Sequence, residues 1–99
     1  IELNNQGEGY FSKGWIFSKN HTFDHQRLIT LITSLNIVRA KGVVLTEKGS
    51  YSFNKAGSEF NCNKVSRSKD SRIELIDINE ATLSNVTCEQ LLMLKSHVL

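Results

Sequence analysis

Two histidines and an aspartate are the residues of this chain whose types best suit metal binding. His21 and His25 are four residues apart, the spacing that places two side chains on one face of a helix. Asp24 lies between them and offers a carboxylate as a third ligand. However, Asp24 is also a good helix N-cap, which would leave His21 outside the helix, and a zinc site usually needs three or four ligands. We therefore expect solvated or capping histidines, with a zinc site as the alternative.

Two cations, Arg39 and Lys41, interrupt an otherwise largely aliphatic stretch over 36–46. Alternation along a strand places both on the same side. Their stems can cover the sheet while the charged heads reach water. The functional alternative is that they pair with acidic groups of a partner, because buried cations are costly without counter-charges. Gly42, next to them, is expected to allow a bulge or a close approach of the backbone.

The other reactive residues form no recognisable catalytic motif. Cys62 and Cys88 belong to no Cys-x-x-Cys pair, and we expect small, half-buried hydrophobes in a reduced, cytoplasmic setting. The sequence has neither a Walker-type phosphate loop nor a dinucleotide-binding glycine motif. No nucleophile is placed beside a base. We therefore predict a domain that is not an enzyme.

A basic run over 64–72 raises RNA binding as a third hypothesis. It contains Lys64, Arg67, Lys69 and Arg72, but no aromatic residue on which bases could stack. The formal net charge of the chain is only +2. Strongly basic, clustered surfaces are typical of nucleic-acid-binding domains, so nucleic acid is not the partner we expect.

The length of 99 residues suits one domain. No apolar run approaches the roughly 18 residues of a membrane-spanning helix, so no membrane partner is predicted. We interpret 1–8 as a linker or frayed N-terminus, 9–99 as the domain, and the chain as a fragment of a longer protein.

Hydrophobic periodicity predicts an α+β fold. Asp24 caps an amphipathic helix whose apolar stripe is Leu28, Leu31, Ile32 and Leu35. Thr87 and Gln90 form a capping box that opens a second helix over 88–97, with Leu91, Leu94 and Val98 on its stripe. Alternation predicts strands near 9–17, 36–46, 51–54, 60–65 and 72–77. The expected architecture is a mostly antiparallel sheet of four to five strands with two main helices packed against it.

The order of these segments resembles a known family. An aromatic strand with Trp15 precedes Phe23-Asp24 and a helix; a strand containing Arg-Ala-Lys-Gly, an aromatic hairpin and the strand from Ile73 follow. From about Tyr10 onward, the series resembles the C-terminal domain of the CobW-like GTPases, a family with metallochaperone and cobalamin-related members. The chain departs from the family pattern in lacking a proline after the capping Asp, and the loop over 57–71 matches only in kind.

The resemblance implies a two-domain parent protein. Its preceding domain would bind and hydrolyse GTP with Mg, and would carry a Cys-x-Cys-Cys motif for zinc or cobalt. The resemblance implies no cofactor in the C-terminal domain itself. That domain would dock to the GTPase domain, form homo-oligomers or recognise a client metalloprotein. Only Arg39, Lys41 and Gly42 map onto family-motif positions, and we expect them to mark the docking surface.

Overall fold

The fold of residues 1–97 is described by a computed structural model. Six strands form one antiparallel sheet within these residues. Its strands are β1 (Glu2–Gly7), β2 (Tyr10–Phe17), β3 (Arg39–Thr46), β4 (Gly49–Ala56), β5 (Glu59–Lys64) and β6 (Ser71–Asp77). They lie in the order β1-β2-β6-β3-β4-β5, so β6 separates β2 from β3. The sequence predicts an inner strand over 36–46; β3 is an inner strand, but it begins three residues later than predicted, at Arg39.

Three short helices accompany the sheet in the same part of the chain: α1 (His25–Ser34), α2 (Glu80–Ser84) and α3 (Cys88–Leu92). The predicted cap of α1 is confirmed, because Oδ1 of Asp24 accepts a hydrogen bond from the Arg27 amide at 3.0 Å. The capping box of α3 is also confirmed: the Gln90 amide donates to the Thr87 hydroxyl at 3.2 Å, and the Thr87 amide donates to Gln90 Oε1 at 2.8 Å.

The second predicted helix is shorter than expected. It ends at Leu92, not at His97, because the chain beyond it pairs with the segment before α1. The Asp24 amide donates to the Leu94 carbonyl, and the Ser96 amide donates to the Thr22 carbonyl, both at 2.7 Å. Helical hydrogen bonds give way to these pairings. The predicted stripe position Val98 lies outside the described residues.

The strand count also needs correction, from four or five to six. Residues 2–7, where we expected a linker or frayed end, form β1 and pair with β2 along their whole length. Every residue of β1 is exposed, so none of them has to be apolar. Its sequence therefore lacks the apolar alternation by which a strand can be predicted. Across residues 1–97, no helix combines the length and the apolar composition needed to cross a membrane.

One side of the sheet carries the hydrophobic core, and we call it the covered face. The alternate residues of three neighbouring strands are buried there, among them Trp15, Ala40, Val44, Ile73 and Leu75. The helices contribute Leu28 and Ile32 from α1, Leu83 from α2 and Leu91 from α3 to the same cluster. Burying large apolar side chains is the main stabilising contribution in a domain of this size. The opposite side of the same strands is therefore left for other uses.

Candidate docking face

The side of the sheet opposite the core is the candidate functional site, and we call it the open face. Strand register defines a row across it: Leu3 is opposite Gly14, Gly14 is opposite Glu74, and Glu74 is opposite Lys41. The open face also includes Ser12 and Ile16 of β2, Arg72 of β6, and Arg39 and Val43 of β3. This surface mixes apolar and charged side chains.

Lys41 finds its counter-charge within the sheet. Its Nζ lies 3.4 Å from Oε1 of Glu74, its neighbour on β6. The side chains remain 50% and 42% exposed, respectively. An ion pair this exposed contributes little to stability, with a typical value of about 0–1 kcal/mol. Both groups can therefore be rearranged at low cost when another surface approaches.

Arg39 is also exposed and lies one step along the same strand face. Its Nε donates to Oδ1 of Asn54 at 3.3 Å, across the β3–β4 pair. A neutral amide leaves the guanidinium charge uncompensated. The two cations singled out by the sequence thus lie side by side on the open face, one paired with a carboxylate and the other with an amide.

Arg72 adds a third cation to this surface. Its Nε and Nη2 donate to the two carboxylate oxygens of Asp70, each at 3.2 Å. The hydrogen bonds from Arg72 hold the pKa of Asp70 below its ordinary value, with a further contribution from the charge of Lys69. The basic run over 64–72 is thus partly neutralised by its own aspartate.

A groove with a volume of about 670 Å³ crosses the open face. Leu3, Asn4 and Asn5 of β1 line one side, and Lys41 and Val43 of β3 line the other. Gly14 also lines the groove, and its missing side chain leaves room there. The lining mixes apolar side chains, such as Leu3 and Val43, with polar ones, such as Asn5 and Lys41, a composition that suits a protein or peptide ligand.

Gly42 allows a close approach, as the sequence predicts, and the register of β3 runs through it without a bulge. A Cβ added at Gly42 would collide with the Arg72 carbonyl oxygen and would lie 2.8 Å from the Phe53 ring. The ring packs across the glycine, and a side chain has no space there. The role of this glycine in the structure is to let β3, β4 and β6 pack tightly beneath the open face.

The expectation of solvated or capping histidines is wrong, because Nε2 of His21 and both ring nitrogens of His25 are buried without a hydrogen-bond partner in the described chain. The three residues of the alternative zinc site are used separately. The His21 ring packs edge-on against Phe23 at 4.4 Å between centroids, and the His25 ring packs against Tyr51 at 4.5 Å. The carboxylate of Asp24 caps α1. In residues 1–97, no three side chains of His, Cys, Asp or Glu are grouped so that they could hold a metal ion.

Partial burial affects the pKa of His21. Loss of solvation lowers its pKa below the ordinary value of 6.5, the charge of Lys95 adds to this, and the Leu91 backbone carbonyl opposes it. The Nε2 atom of His21 is buried without a hydrogen-bond partner in the described chain. The neutral imidazole is therefore the form that suits this site.

The two cysteines are free and half-buried, as predicted. Burial raises the pKa of the Cys62 thiol. Cys88 is the first residue of α3. Neither lies in a grouping with other metal-ligating side chains among the described residues.

The sequence did not reveal a cluster around Trp15. The indole Nε1 donates to Oε1 of Glu2 at 3.0 Å, and Nζ of Lys13 lies 3.8 Å from the same oxygen. The signal available in the sequence was that a buried tryptophan usually finds an acceptor for its N–H. Identifying Glu2 as that acceptor requires the β1–β2 register, which pairs Glu2 with Trp15.

Comparison with known proteins gives two matches. Residues 12–86 match the family described as the cobalamin synthesis protein cobW C-terminal domain. The zinc chaperone YeiR of Escherichia coli (strain K12) is 33% identical over 78 residues, which make up 78% of this chain and 24% of that protein. The chain thus spans about a quarter of the length of that relative. No solved structure matches the chain.

Proposed function

This chain belongs to the cobalamin synthesis protein cobW C-terminal domain family, and from that premise we propose that it is the non-catalytic accessory domain of a metallochaperone. In this proposal the parent protein is a GTPase, and GTP and zinc are bound outside this domain. The relative named as a zinc chaperone supports a metal-handling parent. The accessory domain contributes by docking onto the GTPase domain through the open face.

The observation that carries the proposal is the contrast between the two faces of one sheet. The helices and the core occupy the covered face, whereas Arg39, Lys41 and Glu74 remain exposed on the open face. The groove between β1 and β3 gives this face a concave surface. Exposed, partly apolar concave surfaces commonly mark interaction sites.

Charge indicates the chemistry of the docking surface on the GTPase domain. On β3 and β6, beside the groove, Arg39, Lys41 and Arg72 outnumber the carboxylates of Glu74 and the neighbouring Asp70; the remaining open-face carboxylate, Glu59, lies on the edge strand β5. Complementary charge mainly accelerates association and sets orientation, while apolar contact supplies affinity. We therefore propose that an acidic, partly apolar surface of the GTPase domain docks here. No comparable observation favours RNA as the partner.

The test is a charge reversal with a matched control. The double variant Arg39→Glu/Lys41→Glu is compared with Lys19→Glu/Lys48→Glu, which makes the same charge change at two exposed loop positions. Titration calorimetry against the GTPase domain of the parent should show binding weakened by roughly tenfold or more for the first variant. The control should bind within about twofold of the unmodified chain, because isolated surface substitutions have small effects.

Two further results would bear on the proposal. Raising the ionic strength should weaken binding of the unmodified chain and have less effect on the charge-reversed variant, since salt screens exposed charges. Equal affinity of the two double variants would show that the open face is not the docking surface.

A further inference from the structure

Strand β1 differs from its neighbours in how it is held. All of its residues are exposed, it lies at the edge of the sheet, and it pairs only with β2. A strand with so little buried apolar surface gains little from the hydrophobic effect. Its attachment therefore depends on the backbone ladder and on the few side-chain contacts that it makes.

One of these side-chain contacts joins Glu2 to Trp15. The tryptophan is 1% exposed, and its indole N–H donates to the Glu2 carboxylate at 3.0 Å. Detaching β1 would remove the acceptor of this indole N–H and let water reach it. A hydrogen bond to a charged group is stronger than one between neutral groups, so the contact favours the attached strand.

Lys13 extends the contact to the rest of the domain. Its Nζ lies 3.8 Å from Oε1 of Glu2 and 5.4 Å from the centroid of the Trp15 ring. The same ammonium donates to the Val86 carbonyl, which follows α2, at 2.9 Å. One carboxylate on an exposed strand is thus connected to the core tryptophan and, through the lysine, to the segment between α2 and α3.

We propose that Glu2 is a latch, meaning that its carboxylate holds β1 on the sheet. Loss of this contact releases β1 as a unit while the rest of the domain stays folded. Leu3, Asn4 and Asn5 line the groove of the open face, so releasing β1 removes one wall of the groove. The effect on docking rests on the function proposed above. The latch itself is independent of it and can be tested on this chain alone.

Native-state hydrogen exchange, resolved by residue, tests the latch. In Glu2→Ala, the protected β1 amides should exchange roughly tenfold faster than in the unmodified chain, the effect expected when a charged hydrogen bond is removed. The matched control is Glu59→Ala, which removes an exposed glutamate from β5, the strand at the other edge of the sheet. Exchange of β1 in the control should stay within about twofold.

Fluorescence gives a second readout, because Trp15 is the only tryptophan of the chain. Its emission should shift to longer wavelength in Glu2→Ala and stay unchanged in Glu59→Ala. Glu2→Gln, which keeps an acceptor and loses the charge, should fall between the two. It also provides the measurement if the alanine variant does not fold.

Three outcomes would overturn parts of the proposal. Unchanged β1 exchange in both Glu2 variants would show that there is no latch. Equal acceleration in β1 and β6 would show that Glu2 supports the whole fold and that β1 does not open alone. With the GTPase domain added to the unmodified chain, slower β1 exchange would support its role as a wall of the groove, and binding without that change would overturn it. An unmodified chain that does not bind would overturn the proposed function, with the exchange result still deciding the latch.

Discussion

The two faces of strands β3 and β6 use the same backbone for different purposes. On the covered face, Ala40 is opposite Leu75, and both are fully buried. One residue further along, on the open face, Lys41 is opposite Glu74, and both remain about half exposed. Stability depends on the first pair, whereas the second pair can be exchanged with little effect on folding. This separation allows the side chains of the open face to vary without disturbing the fold.

Removing side chains from each face should give the largest contrast. Leu75→Ala should lower the free energy of unfolding by about 3 kcal/mol, because it leaves a cavity in the core. Glu74→Ala, the adjacent position, should change it by less than about 0.5 kcal/mol, as expected for one partner of an exposed ion pair. Urea denaturation of the two variants measures both values. Similar losses would show that the open face contributes to stability as much as the core does.

Adding a methyl group beneath the open face should have the next largest effect. Gly42→Ala should cost about 2 kcal/mol, because the new Cβ has no space between the Phe53 ring and the Arg72 carbonyl. Gly14→Ala is the matched control, since its Cβ would lie 3.2 Å from the Ile73 carbonyl oxygen and meet no ring. The melting temperature of Gly42→Ala should therefore be well below that of Gly14→Ala. The reverse order would contradict the close packing at Gly42.

Lowering the pH should reduce stability by a smaller amount, and the contributions of His21 and Asp70 should be lost in different pH ranges. The folded-state pKa of His21 is lowered by burial, so the unfolded chain binds the proton more readily and stability falls as the pH drops below about 6.5. The pKa of Asp70, next to the open face, is lowered by Arg72, so its contribution is present above about pH 3.8 and lost as the pH falls through its folded value.

The first of these steps can be checked with His21→Gln. Urea midpoints measured between about pH 7.5 and about pH 5 should fall in the unmodified chain and change less in the variant. An equal decline in both would assign the acid sensitivity to other groups.

The sequence predicts the parts of this fold that depend on local pattern. The cap at Asp24, the capping box at Thr87 and Gln90, and the inner position of β3 all follow from residue types at short spacing. The exposure of Arg39 and Lys41 follows from alternation and from the cost of burying charge. These predictions need no knowledge of which strands are neighbours.

The remaining features depend on long-range register. Strand β1 has no apolar pattern and exists because β2 offers a free edge. Glu74 becomes the partner of Lys41, and Glu2 the partner of Trp15, only through strand pairing. The shortening of α3 depends on contacts between residues 94–96 and 22–24. Local sequence preferences carry no information about any of these contacts, because both partners must be placed by the fold.

The position of β6 between β2 and β3 has a consequence for biosynthesis. Of the six strands in residues 1–97 it is the last to be synthesised, yet it lies between β2 and β3 and pairs with both. The hairpin β1–β2 and the three-stranded meander β3–β4–β5 can form early, because their turns are short. Each has an unpaired inner edge until β6 inserts between them. Long-range pairing of this kind slows folding and leaves strand edges open to association with other chains. We therefore expect substitutions in β6 to reduce the yield of folded protein in cells by more than their effect on equilibrium stability alone would indicate.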